Sequence, residues 1–259
     1  MEDVRLVYGD RDEGFLALDA VSFNVESGQF VAIVGPSGCG KSSLLAMVNG
    51  LQRPTSGRIT LNGRAVTAPG PERALVFQEF ALLPWRTAIA NVELGLELQG
   101  VEASRRREVA REYLRKVGLG DFEHFLPHQL SGGMRQRIGI ARALSVRPEV
   151  LLMDEPFGSL DAQVRLVMGA ELLRIWESDR TTVLFVTHDI DEAVYLADRI
   201  VVMSAVPGRV IDDLAVGLPR PRRPELREER GFGDLRRRIW GDLEDEVRRS
   251  LVWRSDRPG

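Results

Sequence analysis

Eight consecutive residues carry the sharpest chemical signal in the chain: Gly35-Pro36-Ser37-Gly38-Cys39-Gly40-Lys41-Ser42. They match the pattern G-x-x-x-x-G-K-[ST], which has meaning only between a strand and a helix. Phe30-Val31-Ala32-Ile33-Val34 precedes them, an unbroken apolar run that reads as a buried strand. Ser43 to Val48 follows and reads as a helix start, with the helix stopping near Gly50. In that setting glycines let backbone N–H groups turn inward around an anion. The helix N-terminus adds its own donors and the positive end of its dipole. Lys41 then reaches the β- and γ-phosphates of a nucleotide, and Ser42 offers its hydroxyl to Mg2+. Cys39 lies inside this electropositive loop, so a reactive thiol that bound nucleotide shields is expected.

Two further groups of residues carry chemistry. Asp154-Glu155 ends the apolar run Val150-Leu151-Leu152-Met153, so both carboxylates project from the C-terminal edge of a sheet, where ligands of open α/β sheets bind. Beside a phosphate loop, Asp154 would hold Mg2+ and Glu155 would orient and deprotonate an attacking water. Standing alone, the pair would be an acidic loop. Leu130-Ser131-Gly132-Gly133 opens a helix, and its serine and glycines can form a second anion site or an ordinary N-cap.

The elements that must position these groups are legible in the pattern. Val4 to Tyr8 reads as a strand, Asp10 to Gly14 as a polar turn, and Val21, Phe23 and Val25 as a half-buried strand. Ile59 and Leu61 lead into Asn62-Gly63, a strong hairpin signal. Ala74-Leu75-Val76-Phe77 reads as a buried strand with Gln78 at its end. From about Pro84 to Arg147 the chain turns helical, with helices over 91–99, 104–117 and 134–144. In the second of these Val109, Ala110, Tyr113, Leu114 and Val117 share one face, and Arg105-Arg106-Arg107 reads as a solvated face. Strands return at 182–186 and 200–203. Strands alternating with helices imply an α/β fold with a mainly parallel sheet covered on both faces. Pro219-Arg220-Pro221-Arg222-Arg223-Pro224 is an extended arm. Leu235, Ile239, Leu243, Val247 and Leu251 then stripe a last helix, whose apolar face must bury against this chain or a partner.

The whole chain bounds these readings. Its 259 residues are enough for a sizeable core, and 44% hydrophobic with 28% charged residues fits a globular protein. A net charge of −3 offers no global field for nucleic acid. No apolar run approaches the roughly 18 residues that span a bilayer, and Met1 to Arg5 does not read as a signal peptide. A single cysteine permits no internal disulfide and fits a reducing cytosol. His124, His128 and His188 with Cys39 make no zinc pattern.

Taken in order, these residues resemble the ATP-binding-cassette (ABC) family over roughly residues 1 to 215. Gly35 to Ser42 is similar to its Walker A loop, and Val150 to Glu155 to Walker B with its catalytic glutamate. Leu130 to Gln136 is similar to the family signature, with Met134 where glutamine is most frequent. Gln78 resembles the glutamine of the Q-loop, Ser159-Leu160-Asp161 the D-loop and His188 the switch histidine. Ser43, often threonine in the family, departs from the commonest pattern without removing a ligand group.

The resemblance implies a P-loop NTPase fold: a RecA-like, mainly parallel sheet with an antiparallel β part and an inserted α-helical subdomain. It divides the chain into a nucleotide-binding domain over 1–217, with the helical insertion at about 84–147, and an arm with a C-terminal helix over 218–259. It implies ATP and Mg2+ as ligands. Tyr8 would stack on adenine, unless it is simply an edge-strand aromatic. Residues 35–43 would hold the phosphates, Ser42, Gln78 and Asp154 would serve Mg2+, and Glu155, Gln78 and His188 would act in catalysis. Ser131, Gly132, Gly133 and Asp161 would complete the ATP site of a second nucleotide-binding subunit, joined head-to-tail about a two-fold axis as a homodimer.

A separate transmembrane permease is the next implied partner, with a periplasmic or extracellular solute-binding protein acting through it, at the cytoplasmic face of the cell membrane. Leu82-Leu83-Pro84-Trp85-Arg86-Thr87 resembles the importer segment on which a permease helix docks, although Trp85 could also be core. Phe157 to Ala162 is also similar to importers, and Pro207-Gly208-Arg209-Val210 and the 218–222 arm resemble the nitrate, sulfonate and taurine importer branch. The alternative is the motor of an exporter or lipid-trafficking system with a separate permease, or a non-transport ABC ATPase. Lys41 and Ser131 stand 90 positions apart with no heptad run between them, which argues against a chromosome-organising ATPase.

Overall fold

The computed structural model describes residues 1–9 and 14–255, with side chains through residue 249. The expected turn at Asp10 to Gly14 therefore lies mostly outside the described residues, as does the side chain of Leu251. The chain divides into two compact units, Met1–Gly70 with Thr182–Gly259, and Pro71–Thr181.

The first unit begins with β1 (Glu2–Tyr8), which pairs antiparallel with β2 (Phe15–Val21). β3 (Phe30–Val34) follows, all five residues buried, and leads into α1 (Lys41–Asn49). The short β4 (Ser56–Arg58) pairs with β1. β5 (Thr60–Leu61) and β6 (Arg64–Ala65) form a hairpin closed by Asn62 and Gly63, both at positive φ. That is the geometry which an Asn-Gly turn supplies at little cost.

The second unit opens with β7 (Arg73–Val76), then α2 (Ala88–Leu98), α3 (Ala103–Lys116) and α4 (Gly132–Ser145). β8 (Val150–Asp154) pairs parallel with β7, and α5 (Ala162–Asp179) closes the unit. The chain then returns to the first unit as β9 (Thr182–Thr187), α6 (Ile190–Leu196), β10 (Arg199–Met203), β11 (Val210–Ala215) and α7 (Arg230–Ser255). There β10, β3 and β9 run parallel in that order, and β11 adds an antiparallel edge on β10. The run 30–34 is apolar without alternation because both faces of β3 are covered.

Several expectations hold, and some shift. The face of α3 is buried at Val109, Ala110, Tyr113 and Leu114, with Val117 buried just beyond it. Arg105 is exposed and pairs with Glu108, while Arg106 and Arg107 reach Glu93 on α2. Val21 and Phe23 are buried as the alternation requires, but the ladder is made by Phe15–Val21 and ends there. β7 ends at Val76 with Ala74 and Leu75 only half-buried, and Phe77 beyond it is exposed, so this strand is shorter and less buried than its apolar run implies. α2 starts three residues before its expected start because Thr87 caps it, its hydroxyl accepting from the Ala90 N–H.

The Pro/Arg arm is extended to Arg223 and then makes a short 3-10 turn from Pro224. Its arginines satisfy carbonyls at the end of α6. Arg220 donates to Leu196 O and Asp198, and buried Arg222 donates to Ala197 O. Of the stripe on α7, Ile239 and Leu243 are buried and Leu235 and Val247 half-buried, with Phe232 buried beside them, and α7 packs on α6 and β10. Among the described residues no helix is long and apolar enough to cross a membrane.

Candidate functional site

The loop from Gly35 to Gly40 turns back tightly between β3 and α1. Gly38 and Gly40 have φ of 87° and 98°, a region in which a side chain would be strained. Gly35 is needed for a different reason: a Cβ there would lie 2.9 Å from the Met203 carbonyl oxygen and 3.0 Å from Cys39 Sγ. At Gly40 a Cβ would meet Leu18 at 2.6 Å. No side chain caps α1, so its N-terminus is left to backbone donors. Lys41 is 4% exposed, and its Nζ donates to Gly35 O at 2.8 Å and Pro36 O at 2.9 Å. A buried ammonium needs such partners. The arrangement concentrates a cation and helix-end donors at a loop whose tight turns are set by its glycines.

Cys39 corrects an expectation. Its Sγ points into the fold, and the residue is 1% exposed. Burial pushes the thiol above its usual pKa, with the nearby Lys41 ammonium only partly offsetting the effect. An electropositive loop lowers a thiol pKa only when the sulfur stays solvated. Here desolvation wins, and Cys39 is a packing residue beneath the loop.

Tyr8 ends β1 with its ring 44% exposed. Its hydroxyl lies 2.9 Å from Ser43 Oγ and donates to Gln52 at 3.4 Å, so the ring is tethered beside the first turn of α1. His188 follows β9 directly and is exposed. Because Val34 and Thr187 are register partners, His188 leaves the sheet at the level where the phosphate loop begins. Thr187 Oγ1 donates to Glu192 at 2.7 Å and accepts from Asp189 N at 3.0 Å, which fixes the corner that carries His188.

In the other unit, Val76 and Met153 are register partners, so Gln78 and Asp154-Glu155 leave the β7–β8 pair at one edge. A Cβ at Gly158 would lie 3.3 Å from Gln78 Nε2 and 3.6 Å from Glu155 Oε2, so these two side chains share a corner. Glu155 has φ 43°, a left-handed conformation that costs a side-chain residue on the order of 1–3 kcal/mol. Such strain concentrates where a side chain must be aimed.

Ser131 caps α4, its Oγ accepting from Met134 N at 3.3 Å. Asp161 caps α5 in the same way, accepting from Val164 N at 2.9 Å. Ser131, Gly132, Gly133 and Asp161 line one open cavity of about 610 Å³. Glycine at 133 lets α4 approach α5, since a Cβ there would meet Val164 at 3.3 Å. The loop between Gln78 and α2 is tied to α4: Arg142 donates to Ala81 O at 2.7 Å, and Arg135 stacks on Phe80.

Sequence reasoning missed Asn91, which is fully buried on α2. Its amide accepts from Leu83 N and donates to the Leu83, Arg86 and Thr87 carbonyls. That clamp holds Leu83 to Thr87 and leaves Trp85 74% exposed, so Trp85 is not core. An asparagine inside an apolar helix pattern was the available signal.

Comparison with known proteins adds to this geometry. The family model described as "ABC transporter" matches residues 18–158. The chain is 45% identical over 240 residues to the bicarbonate transport ATP-binding protein CmpD of Synechococcus elongatus, covering 91% of this chain and 86% of the relative. It is 46% identical over 226 residues to the nitrate import ATP-binding protein NrtD of the same organism, covering 86% and 82%. Among solved structures, the dimeric post-hydrolysis state of the ATP-binding cassette MJ0796 bound to ADP and Pi matches with a TM-score of 0.73 at 33% identity, covering 84% of this chain and 98% of that one.

Proposed function

Because this chain belongs to the ABC transporter family as an ATPase subunit, we propose that it hydrolyses ATP to drive an importer whose permease is a separate membrane protein. The observation that carries the reading is the phosphate loop, whose glycines, buried Lys41 and uncapped α1 N-terminus suit a polyphosphate. We take 1–217 as the nucleotide-binding domain, with its helical insertion at about 84–147, and 218–259 as the arm and C-terminal helix.

Each residue has a task in this reading. Tyr8 stacks on adenine. The loop of residues 35–43, with its backbone N–H groups and the Lys41 ammonium, holds the β- and γ-phosphates. Ser42, Gln78 and Asp154 offer a hydroxyl, an amide oxygen and a carboxylate, the hard oxygen donors that Mg2+ prefers. A Mg2+ held there would supply positive charge against the phosphates. Glu155 takes the proton of a water as its oxygen attacks the γ-phosphorus and the bond to the bridging oxygen breaks, giving ADP and phosphate. His188 steadies the γ-phosphate, and Gln78 senses both water and permease.

Ser131, Gly132, Gly133 and Asp161 serve the ATP of a second copy, so that two chains close head-to-tail over two nucleotides. Hydrolysis and product release let them open. Exposed Trp85, on the loop that Asn91 clamps, suits a permease contact at the cytoplasmic face of the membrane. A solute-binding protein would act through that permease. The names of CmpD and NrtD favour a small-anion importer of the nitrate, sulfonate and taurine type over the exporter alternative.

Purification from membranes tests the transport half. Co-purification with a multi-span permease whose solute is an anion supports it, and a chain recovered only free of membrane subunits removes it. Phosphate release by the purified chain, absent in Glu155→Gln, tests the enzymatic half.

A further inference from the structure

Behind the phosphate loop, a tight turn links β10 to β11. Ser204 N donates to Arg209 O and Arg209 N donates to Ser204 Oγ, both at 2.9 Å, while the Ser204 hydroxyl donates to the Ala205 or Pro207 carbonyl. These bonds tie the two ends of the turn to each other. One side of it rests on the phosphate loop. Gly208 N donates to Ala17 O, Asp19 N donates to Gly208 O, and a Cβ at 208 would lie 2.1 Å from the Cys39 carbonyl oxygen. The turn therefore sits in backbone contact beneath Cys39.

The other side is held by α7. The Ala205 N–H donates to the Glu246 carboxylate at 2.8 Å, with both residues buried. Glu246 also accepts from Arg249 at 2.7 Å. A cavity of about 390 Å³, lined by Gly38, Cys39, Ala205, Pro207, Glu246 and Arg249 among others, lies at this junction. It gives the turn room to shift once the Glu246 bond is cut.

We propose that Glu246 is a positioning residue for the phosphate loop: its carboxylate fixes the Ser204–Arg209 turn, and the turn's Gly208 holds Cys39 and its neighbours in their phosphate-binding conformation. The inference rests on the reading of residues 35–42 as the ATP loop. It makes the C-terminal helix part of the nucleotide site's support, although the helix lies beyond the residues matched by the family model.

The single, buried Cys39 is a built-in reporter. The test measures its alkylation rate by iodoacetamide and the KM and kcat for ATP in the full chain. For Glu246→Ala, alkylation without nucleotide should rise about 10-fold, and KM should rise about 10-fold with kcat within about 2-fold, the low end for losing a hydrogen bond to a charged group. Glu246→Gln keeps an acceptor for Ala205 N and should restore both values. Leu114→Ala, a core change on α3 chosen to lower Tm comparably, should leave Cys39 slow. If Glu246→Ala does not fold, Glu246→Asp, one methylene short of Ala205, should show the same direction.

Equal alkylation and KM in wild type and Glu246→Ala would overturn the proposal, as would Leu114→Ala exposing Cys39 to the same degree. Lys41→Ala separates the two readings. If it binds ATP as wild type does, the loop assignment itself fails. If it loses ATP while Glu246→Ala behaves as wild type, only the role of Glu246 fails.

Discussion

The phosphate loop and the Ser131 turn are both glycine-bearing helix starts, yet each meets its surroundings differently. At the first, α1 has no side-chain cap, Lys41 is buried, and glycines are demanded by positive φ at 38 and 40 and by the Met203 carbonyl at 35. At the second, Ser131 is exposed, its hydroxyl already serves Met134 N, and the glycines leave room for Leu160 and Val164. The first is a loop whose backbone turns and buried Lys41 are set by its own unit. The second presents an exposed helix end on an open cavity that it shares with Asp161. Under the proposed function the ligand there is the ATP of a second copy, and the two helix starts divide the labour of one shared site.

The strongest test of that division is chemical. Glu155→Gln should keep ATP affinity while lowering hydrolysis by about 10²-fold or more, the range for losing a general base. Near-normal phosphate release in that variant would remove Glu155 from its role. Ser131→Arg should lower hydrolysis by about 10²-fold, as for a lost transition-state donor, with nucleotide affinity of the single chain unchanged. Lys41→Ala should do the reverse and weaken nucleotide binding by about 10–100-fold, the cost of charged hydrogen bonds. Equal loss of binding in both variants would erase the contrast between the two helix starts.

Tyr8→Ala should weaken ATP by about 5-fold, the low end for an aromatic–base stack, and weaken GTP and ATP alike if the ring only stacks. Smallest is the effect at Cys39. Because burial raises its pKa, the thiol stays protonated at pH values where a solvated cysteine has begun to ionise. Alkylation should therefore be slow at pH 8 and climb only as pH rises beyond the usual thiol value. Fast reaction at pH 8 in the folded chain would contradict its placement under the loop.

The two regions also differ in how plainly the sequence announces them. Gly35 to Ser42 is legible because backbone geometry demands residue types at fixed offsets, and the apolar run of β3 leaves one reading. The α3 face and the Asn62-Gly63 hairpin are legible for the same local reasons. What escaped depends on distant partners. Cys39 is buried at a loop that meets Gly208, more than 160 residues away in the chain, a neighbour no local pattern announces. Asn91 looks like a helix defect until its four bonds to Leu83–Thr87 are seen. Phe77 looks like core until β7 ends at Val76. Glu246 reads as one more surface charge on an Arg-rich helix, and only the Ala205 bond shows otherwise.

Sedimentation of the Glu155→Gln chain with saturating MgATP addresses the shared site most directly. Without nucleotide the chain should sediment as a monomer and with MgATP as a dimer, and adding Ser131→Arg should return it to a monomer that still binds ATP. A fully nucleotide-loaded Glu155→Gln chain that stays monomeric, alone and on its permease, would contradict the shared site.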